Sequence, residues 1–127
     1  MSNLNQILIE GNLVKNPELR HTPKGTPVCT FSVASNRFYK QNDEFQKEVS
    51  FFDVTAWTDL AKNCADRLKK GRGVRVIGRL QQDRWQDTEG KQRSKIYIVA
   101  DHVIFKPEFK GKKSEKSDAE LEEASSF

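Results

Sequence analysis

Apolar and polar residues alternate with period two in three long segments of this chain, and a 3.6-residue apolar stripe occurs once. Period two is the geometry of a strand with one buried face. From Val28 to about Tyr39, Cys29, Phe31 and Val33 take one face and Thr30, Ser32 and Asn36 the other. From Glu48 to Trp57, Phe52, Val54 and Ala56 form an apolar row opposite Val49, Phe51, Asp53, Thr55 and Trp57. From Gly73 to Trp85, Val74, Val76, Gly78 and Leu80 oppose Arg75, Ile77, Arg79, Gln81, Asp83 and Trp85. A first strand around Gln6 to Val14 and a last strand from Arg93 to Phe105 complete the set. In the last, Ile96 and Ile98 are expected inside, with Arg93, Lys95 and Tyr97 on the other face. The helical stripe is Leu60, Ala61, Cys64, Ala65 and Leu68, with Thr58 expected as N-cap and Gly71 as the stop.

Three strands, one helix and a closing hairpin predict an all-β fold, a five-stranded Greek-key OB-fold barrel with one short α-helix between strands 3 and 4. A parallel sheet would need more helices. With 127 residues, 35% hydrophobic and 31% charged, the chain has apolar side chains for one modest core. The expected domain is residues 1–107. Residues 108–127 are expected to be a disordered tail, basic then acidic and ending in Phe127, because they hold too little apolar surface to offset the entropy of ordering. No apolar run approaches the roughly 20 residues of a membrane span. The first residues lack the basic and apolar regions of a secretory signal, so a cytoplasmic location is expected. Cys29 and Cys64, far apart and outside any C-x-x-C, read as small buried hydrophobes.

Charge and aromatics then coincide. Residues 1–107 carry 18 Lys plus Arg against 12 Asp plus Glu. On the polar-side faces, Phe51 and Trp57, Trp85 with Arg75 and Arg79, and Tyr97 with Lys95 put rings beside cations. Single-stranded nucleic acid fits this pairing, since its phosphates attract cations and its unpaired bases offer faces to stack on. Duplex DNA hides those faces, and no helix-turn-helix or zinc finger is present to read a groove. His21 and His102 stand alone, without metal-ligand spacing. Gly71-Arg72-Gly73 lacks the rest of a P-loop, and no catalytic motif of the G-x-S-x-G or H-E-x-x-H kind occurs. No enzyme, metal or cofactor is expected.

Ile7-Leu8-Ile9-Glu10-Gly11-Asn12-Leu13, Asn16-Pro17-Glu18-Leu19-Arg20, Pro23-Lys24-Gly25, Phe31-Ser32-Val33-Ala34-Ser35, Leu68-Lys69-Lys70-Gly71, Val76-Ile77-Gly78-Arg79-Leu80 and Arg84-Trp85 together resemble the bacterial single-stranded DNA-binding protein (SSB) family over about residues 4 to 105. The resemblance implies an OB fold, usually a homotetramer, that binds and protects single-stranded DNA in replication, recombination and repair without catalysis. It implies base stacking on Phe51, Trp57 and Trp85, and on Tyr39 or Phe38. Alternation favours Phe38 and family spacing Tyr39; a bend or bulge in the long strand would invert the parity, so both are named, with Tyr39 preferred. Tyr97 is a further stacking candidate. Lys69, Lys70, Arg75, Arg79, Arg84, Arg93 and Lys95 are the phosphate candidates.

Family members typically end in an acidic stretch closing on Asp-Ile-Pro-Phe, which docks into partner proteins. Here the end is Glu122-Glu123-Ala124-Ser125-Ser126-Phe127, so Glu122, Glu123 and Phe127 are the candidates for recruiting replication and repair proteins. Two other readings use the same face: an adaptor whose rings bind protein, and a nuclease using Asp53 and Asp83.

Overall fold

The computed structural model describes residues 3–107; the tail, with Glu122, Glu123 and Phe127, lies outside them. The chain runs β1 (Ile7–Leu13), β2 (Glu18–His21), β3 (Pro27–Gln41), β4 (Glu44–Trp57), α1 (Thr58–Arg67), β5 (Gly73–Gln86) and β6 (Gln92–Phe105). Hydrogen bonding follows the order β1-β5-β6-β4-β3-β2, and β1 also pairs with β3, closing a five-stranded barrel. β2 is a short flap on β3. The β4–β6 pairing is parallel, through Val54↔Ile98 and Thr55↔Val99, and every other pairing is antiparallel.

Closure depends on two glycines. A Cβ on Gly11 would overlap the Ala34 carbonyl where β1 meets β3, and one on Gly78 would overlap the Val99 carbonyl at the β5–β6 register shift. Only a residue without a side chain lets these backbones approach so closely.

The core holds Leu13, Cys29, Phe31, Val33, Val54, Ala56, Val74, Val76 and Ile98, closed at one end by Ala61, Cys64 and Leu68 of the α1 region. The period-two rows of β3 and β4 and most of the β5 row therefore point as their sequence indicates. Burial pushes the Cys29 thiol up to about 11, and burial plus proximity to Cys29 pushes Cys64 up to about 12. Both cysteines are thus protonated, buried hydrophobes.

Four local expectations are corrected. Ile96 is 61% exposed because the β5–β6 hairpin overhangs the barrel, leaving nothing for its end to pack on; Leu80, also expected inside, is about half exposed. Thr58 does not cap α1. The N-cap position is Trp57, without a side-chain cap, and Thr58 adopts φ +58° while its hydroxyl donates to the Trp57 carbonyl at 2.7 Å. α1 also stops at Arg67, and Gly71, at φ +90°, instead serves the turn in which the Arg72 N–H donates to the Lys69 carbonyl.

A candidate nucleic-acid interface

Register fixes which side chains share the outer face. In the β3–β4 ladder Val28 pairs with Trp57, Ser32 with Asp53, Ala34 with Phe51 and Phe38 with Lys47. In the β5–β6 ladder Trp85 pairs with Arg93, Asp83 with Lys95, Gln81 with Tyr97 and Arg79 with Val99. The parallel β4–β6 contact sets Thr55 beside Val99, so the two ladders present one continuous outer face. Trp57, Phe51, Tyr97 and Trp85 all lie on it. Phe51 is 66% exposed, Trp85 48% and Trp57 42%, so none of the three rings is used up by the core. The neighbouring Phe52 packs against the core, which settles which member of that pair faces out.

Between the ladders lies a cleft of about 490 Å³ lined in part by Ser32, Asp53, Thr55, Asp83, Lys95 and Tyr97. The Ser32 hydroxyl donates to Asp53 at 2.8 Å, Lys95 stands 3.5 Å from the same carboxylate, and the Tyr97 hydroxyl donates to Asp83 at 3.0 Å. Burial, then the Asp83 hydrogen bond and charge, raise the Tyr97 phenol, so it stays protonated and its ring is held in place. Among the described residues, no group of three or more His, Cys, Asp or Glu side chains is arranged to hold a metal ion.

The cations divide into groups. Lys95 and Arg79 make loose exposed pairs, with Asp53 at 3.5 Å and Asp101 at 3.7 Å. Exposed pairs are worth about 1 kcal/mol or less, so a phosphate displaces such partners cheaply. Arg93 sits opposite Trp85 and donates from Nε to Asp87 at 2.9 Å. Asp87 is itself the clasp of the hairpin turn; the Lys91 backbone N–H first, then Arg93, lower its carboxyl despite some desolvation. Lys69 and Lys70 lie in the α1–β5 connection, where the Lys70 N–H donates to Asn16.

Two candidates are placed elsewhere. Arg84 falls on the opposite face of β5, paired with Ser94 and donating to Gln82 at 3.2 Å, because it is one residue out of phase with Trp85. Arg75 points toward β1, where its Nε and Nη2 donate to Glu10 at 3.1 and 3.0 Å and Lys106 joins from 2.9 Å. Burial alone would raise the Glu10 carboxyl, but the hydrogen bonds and charges of Lys106 and Arg75 outweigh it and hold it below its ordinary value.

The β3–β4 ladder is unbroken from Val28↔Trp57 to Gln41↔Glu44, so no bulge inverts its parity. Phe38 therefore shares the outer face with Phe51 and Trp57, and Tyr39 lies on the other face of the ribbon, with the Arg37 guanidinium 5.1 Å from its ring centroid. Sequence reasoning missed Phe45 and Lys47. Both continue the parity of Val49, Phe51 and Trp57 toward the hairpin tip, and a strand begun at Glu44 rather than Glu48 would have included them.

The pattern of the Single-strand binding protein family matches residues 4–106. A single-stranded DNA-binding protein of Aquifex aeolicus is 48% identical over 101 residues, covering 79% of this chain and 68% of that protein. Single-stranded DNA-binding protein 2 of Chlorobaculum tepidum is 40% identical over 107 residues, covering 83% of this chain and 72% of that one. The structure of a Plasmodium falciparum SSB complex with ssDNA superposes with a TM-score of 0.75 at 23% identity, covering 83% of this chain and 97% of that chain, a likeness of fold. With its closed barrel, one helix and matching residues 4–106, the chain belongs to the single-strand binding protein family.

Proposed function

We propose that the chain binds and protects single-stranded DNA without catalysis, in replication, recombination and repair, by stacking bases on its outer-face rings and holding phosphates with neighbouring cations. The observation that carries this reading is the placement of Phe51, Trp57, Trp85 and Tyr97 on one outer face spanning two ladders. Stacking tolerates any base, so the binding is independent of sequence. Phe38 is favoured over Tyr39 as the additional ring by its shared face. Arg79, Arg93 and Lys95 are the phosphate ligands nearest the rings. Lys69 and Lys70 would serve a strand leaving past the α1–β5 turn. The test is titration with oligo(dT): tryptophan emission should be quenched, and log affinity should fall with log salt at about −0.7 per phosphate neutralised. Absence of quenching at low salt would overturn the reading.

We further propose that the chain forms a homotetramer, a reading supported by a second surface. Leu8 and Ile104 are about half exposed beside Ile77 on the outer side of β1, β5 and β6, next to the Glu10, Arg75 and Lys106 network. A contiguous apolar face rimmed by paired charges suits self-association. Light scattering should give a multiple of 14.6 kDa, and Leu8→Glu should reduce it. Glu122, Glu123 and Phe127, outside the described residues, are proposed to recruit replication and repair proteins. The proposed location is the cytoplasm, in association with the nucleoid; no helix among the described residues is long and apolar enough to cross a membrane.

A further inference from the structure

Two carboxylates, Asp53 and Asp83, stand among the outer-face rings, and neither stacking nor phosphate binding gives them a role. Asp53 follows Phe51 by two residues on β4, and Asp83 precedes Trp85 by two on β5. Each therefore lies about 7 Å along its strand from a ring on the same face. Continuing the parallel pairs Thr55↔Val99 and Val54↔Ile98 by one residue sets Asp53 beside Tyr97. Both acids line the cleft between the ladders.

The hydroxyl hydrogens at this point of the cleft are already committed. Ser32 donates to Asp53 at 2.8 Å and Tyr97 to Asp83 at 3.0 Å. Each hydroxyl has a single hydrogen, so both present lone pairs to an incoming ligand. A carboxylate has about four acceptor sites. Asp53 uses one on Ser32 and makes a loose contact with Lys95 at 3.5 Å, and Asp83 uses one on Tyr97. Two carboxylates against Lys95 leave the middle of the cleft negative and rich in acceptors. Cations lie to its sides: Lys15 and Arg20, the latter shared with Glu18 at 3.0 Å, line it from the β2 side, and Arg93 stands opposite Trp85. This arrangement turns phosphates toward the edges and base edges toward the middle.

The deoxyribose–phosphate backbone within a strand carries no hydrogen-bond donor, so only base edges can meet these acceptors. Cytosine offers its N4 amine, whereas thymine sets the O4 acceptor in the same place. An oxygen held against a carboxylate is left unpaired, which costs affinity. We infer that Asp53 and Asp83 bias the interface toward bases with an exocyclic amine, cytosine over thymine among the pyrimidines, by accepting hydrogen bonds from that amine while the neighbouring rings stack the base. This rests on the proposed function and deepens it. The rings still admit every base, and the carboxylates add a preference on top of stacking.

The test uses the full chain at about pH 8 with oligo(dC) and oligo(dT) of about 16 nucleotides, near the upper site size of one OB fold, read by tryptophan quenching at low and at high salt. Comparing each variant's dC:dT affinity ratio with that of the wild type cancels the difference in how the two bases stack. Asp83→Ala should lower the ratio about 3- to 10-fold, the range for one net hydrogen bond, with oligo(dT) bound as well as before or better. Asp53→Ala should act in the same direction, and the double variant should lower the ratio further. Asp83→Asn keeps the shape and can donate to thymine O4, so it should lower the ratio at least as far as Asp83→Ala. Asp101→Ala removes an equal charge beside Arg79, outside the cleft, and should leave the ratio unchanged. A neutral amine releases no counterion, so the change in ratio should be the same at both salt concentrations.

Failure of the wild-type chain to bind either oligomer would remove the proposed function. Normal wild-type binding with Trp57→Ala impaired, but Asp53→Ala and Asp83→Ala strengthening both oligomers equally, would mean that the carboxylates only repel phosphate and would overturn the preference alone. A change in ratio that fades with salt would overturn it too. So would Tyr97→Phe reproducing the Asp83→Ala loss, since ring placement would then set the preference. Both acids make only exposed contacts, so unchanged circular dichroism is expected of their variants.

Discussion

Replacing Trp57 by Ala separates binding from folding. The indole lies on the outer face opposite Val28, and more than half of it is covered. A fully buried Trp→Ala change costs about 3–5 kcal/mol; with 42% of this residue exposed, the cost to folding should be about 2 kcal/mol. A 2 kcal/mol loss lowers the midpoint of a domain this size by about 10 °C and leaves it folded at 25 °C. One base stack is worth about 1–3 kcal/mol, so affinity for single strands should fall by about 5- to 150-fold. Because the indole carries no charge, the log–log salt slope should not change. Fluorescence titrations with oligo(dT), oligo(dC) and a mixed sequence at several salt concentrations, read from Trp85, measure the affinity and the slope, and a thermal melt measures the cost to folding. Equal losses on every sequence, with the slope preserved and with Trp57→Phe close to wild type, are expected. A loss confined to one sequence, or a changed slope, would refute stacking as the role of Trp57.

Asp53 places a carboxylate in the cleft between the ladders, and Asp53→Asn should strengthen oligo(dT) binding several-fold at low salt, an effect fading as ionic strength rises; weaker binding would mean that the carboxylate positions Lys95 or Ser32. Gly78→Ala should lower unfolding free energy by about 1–3 kcal/mol in urea titration, since the Val99 carbonyl must move; an unchanged midpoint would contradict the close approach. Glu10 is held below its ordinary value of 4.5, so the unfolded chain takes up its proton first. Its stabilising contribution is complete above about pH 4.5 and is lost as pH falls through the lower folded value. Urea midpoints measured across that acid range should drop in the wild type, with a shallower drop in Glu10→Gln.

Parity was legible because it is a property of the backbone: once a segment is extended, alternate side chains must face opposite ways. Hence Phe51, Trp57 and Trp85 were placed outside, and Cys29, Phe31, Val33, Val54 and Ala56 inside, from sequence patterning. The helix was legible for the same kind of reason, through its single apolar stripe. Parity says nothing about how far a strand runs past the body it helps to close. Ile96 and Ile98 share one face of one strand, yet only Ile98 meets the core, because the barrel ends between them. The same boundary turns Phe38, Lys40, Phe45 and Lys47 into an overhanging surface.

Partner choice was equally hidden. Arg75 and Arg79 have the same parity, but strand order sets Glu10 beside the first, while the second reaches only a loose pair with Asp101. The absence of a bulge in β3, which sets Phe38 rather than Tyr39 beside Phe51, depends on the whole ladder with β4. Short-range periodicity thus determined the faces, and long-range pairing decided the register, the length of overhang and which charges are already neutralised, because each of these depends on residues distant in the chain.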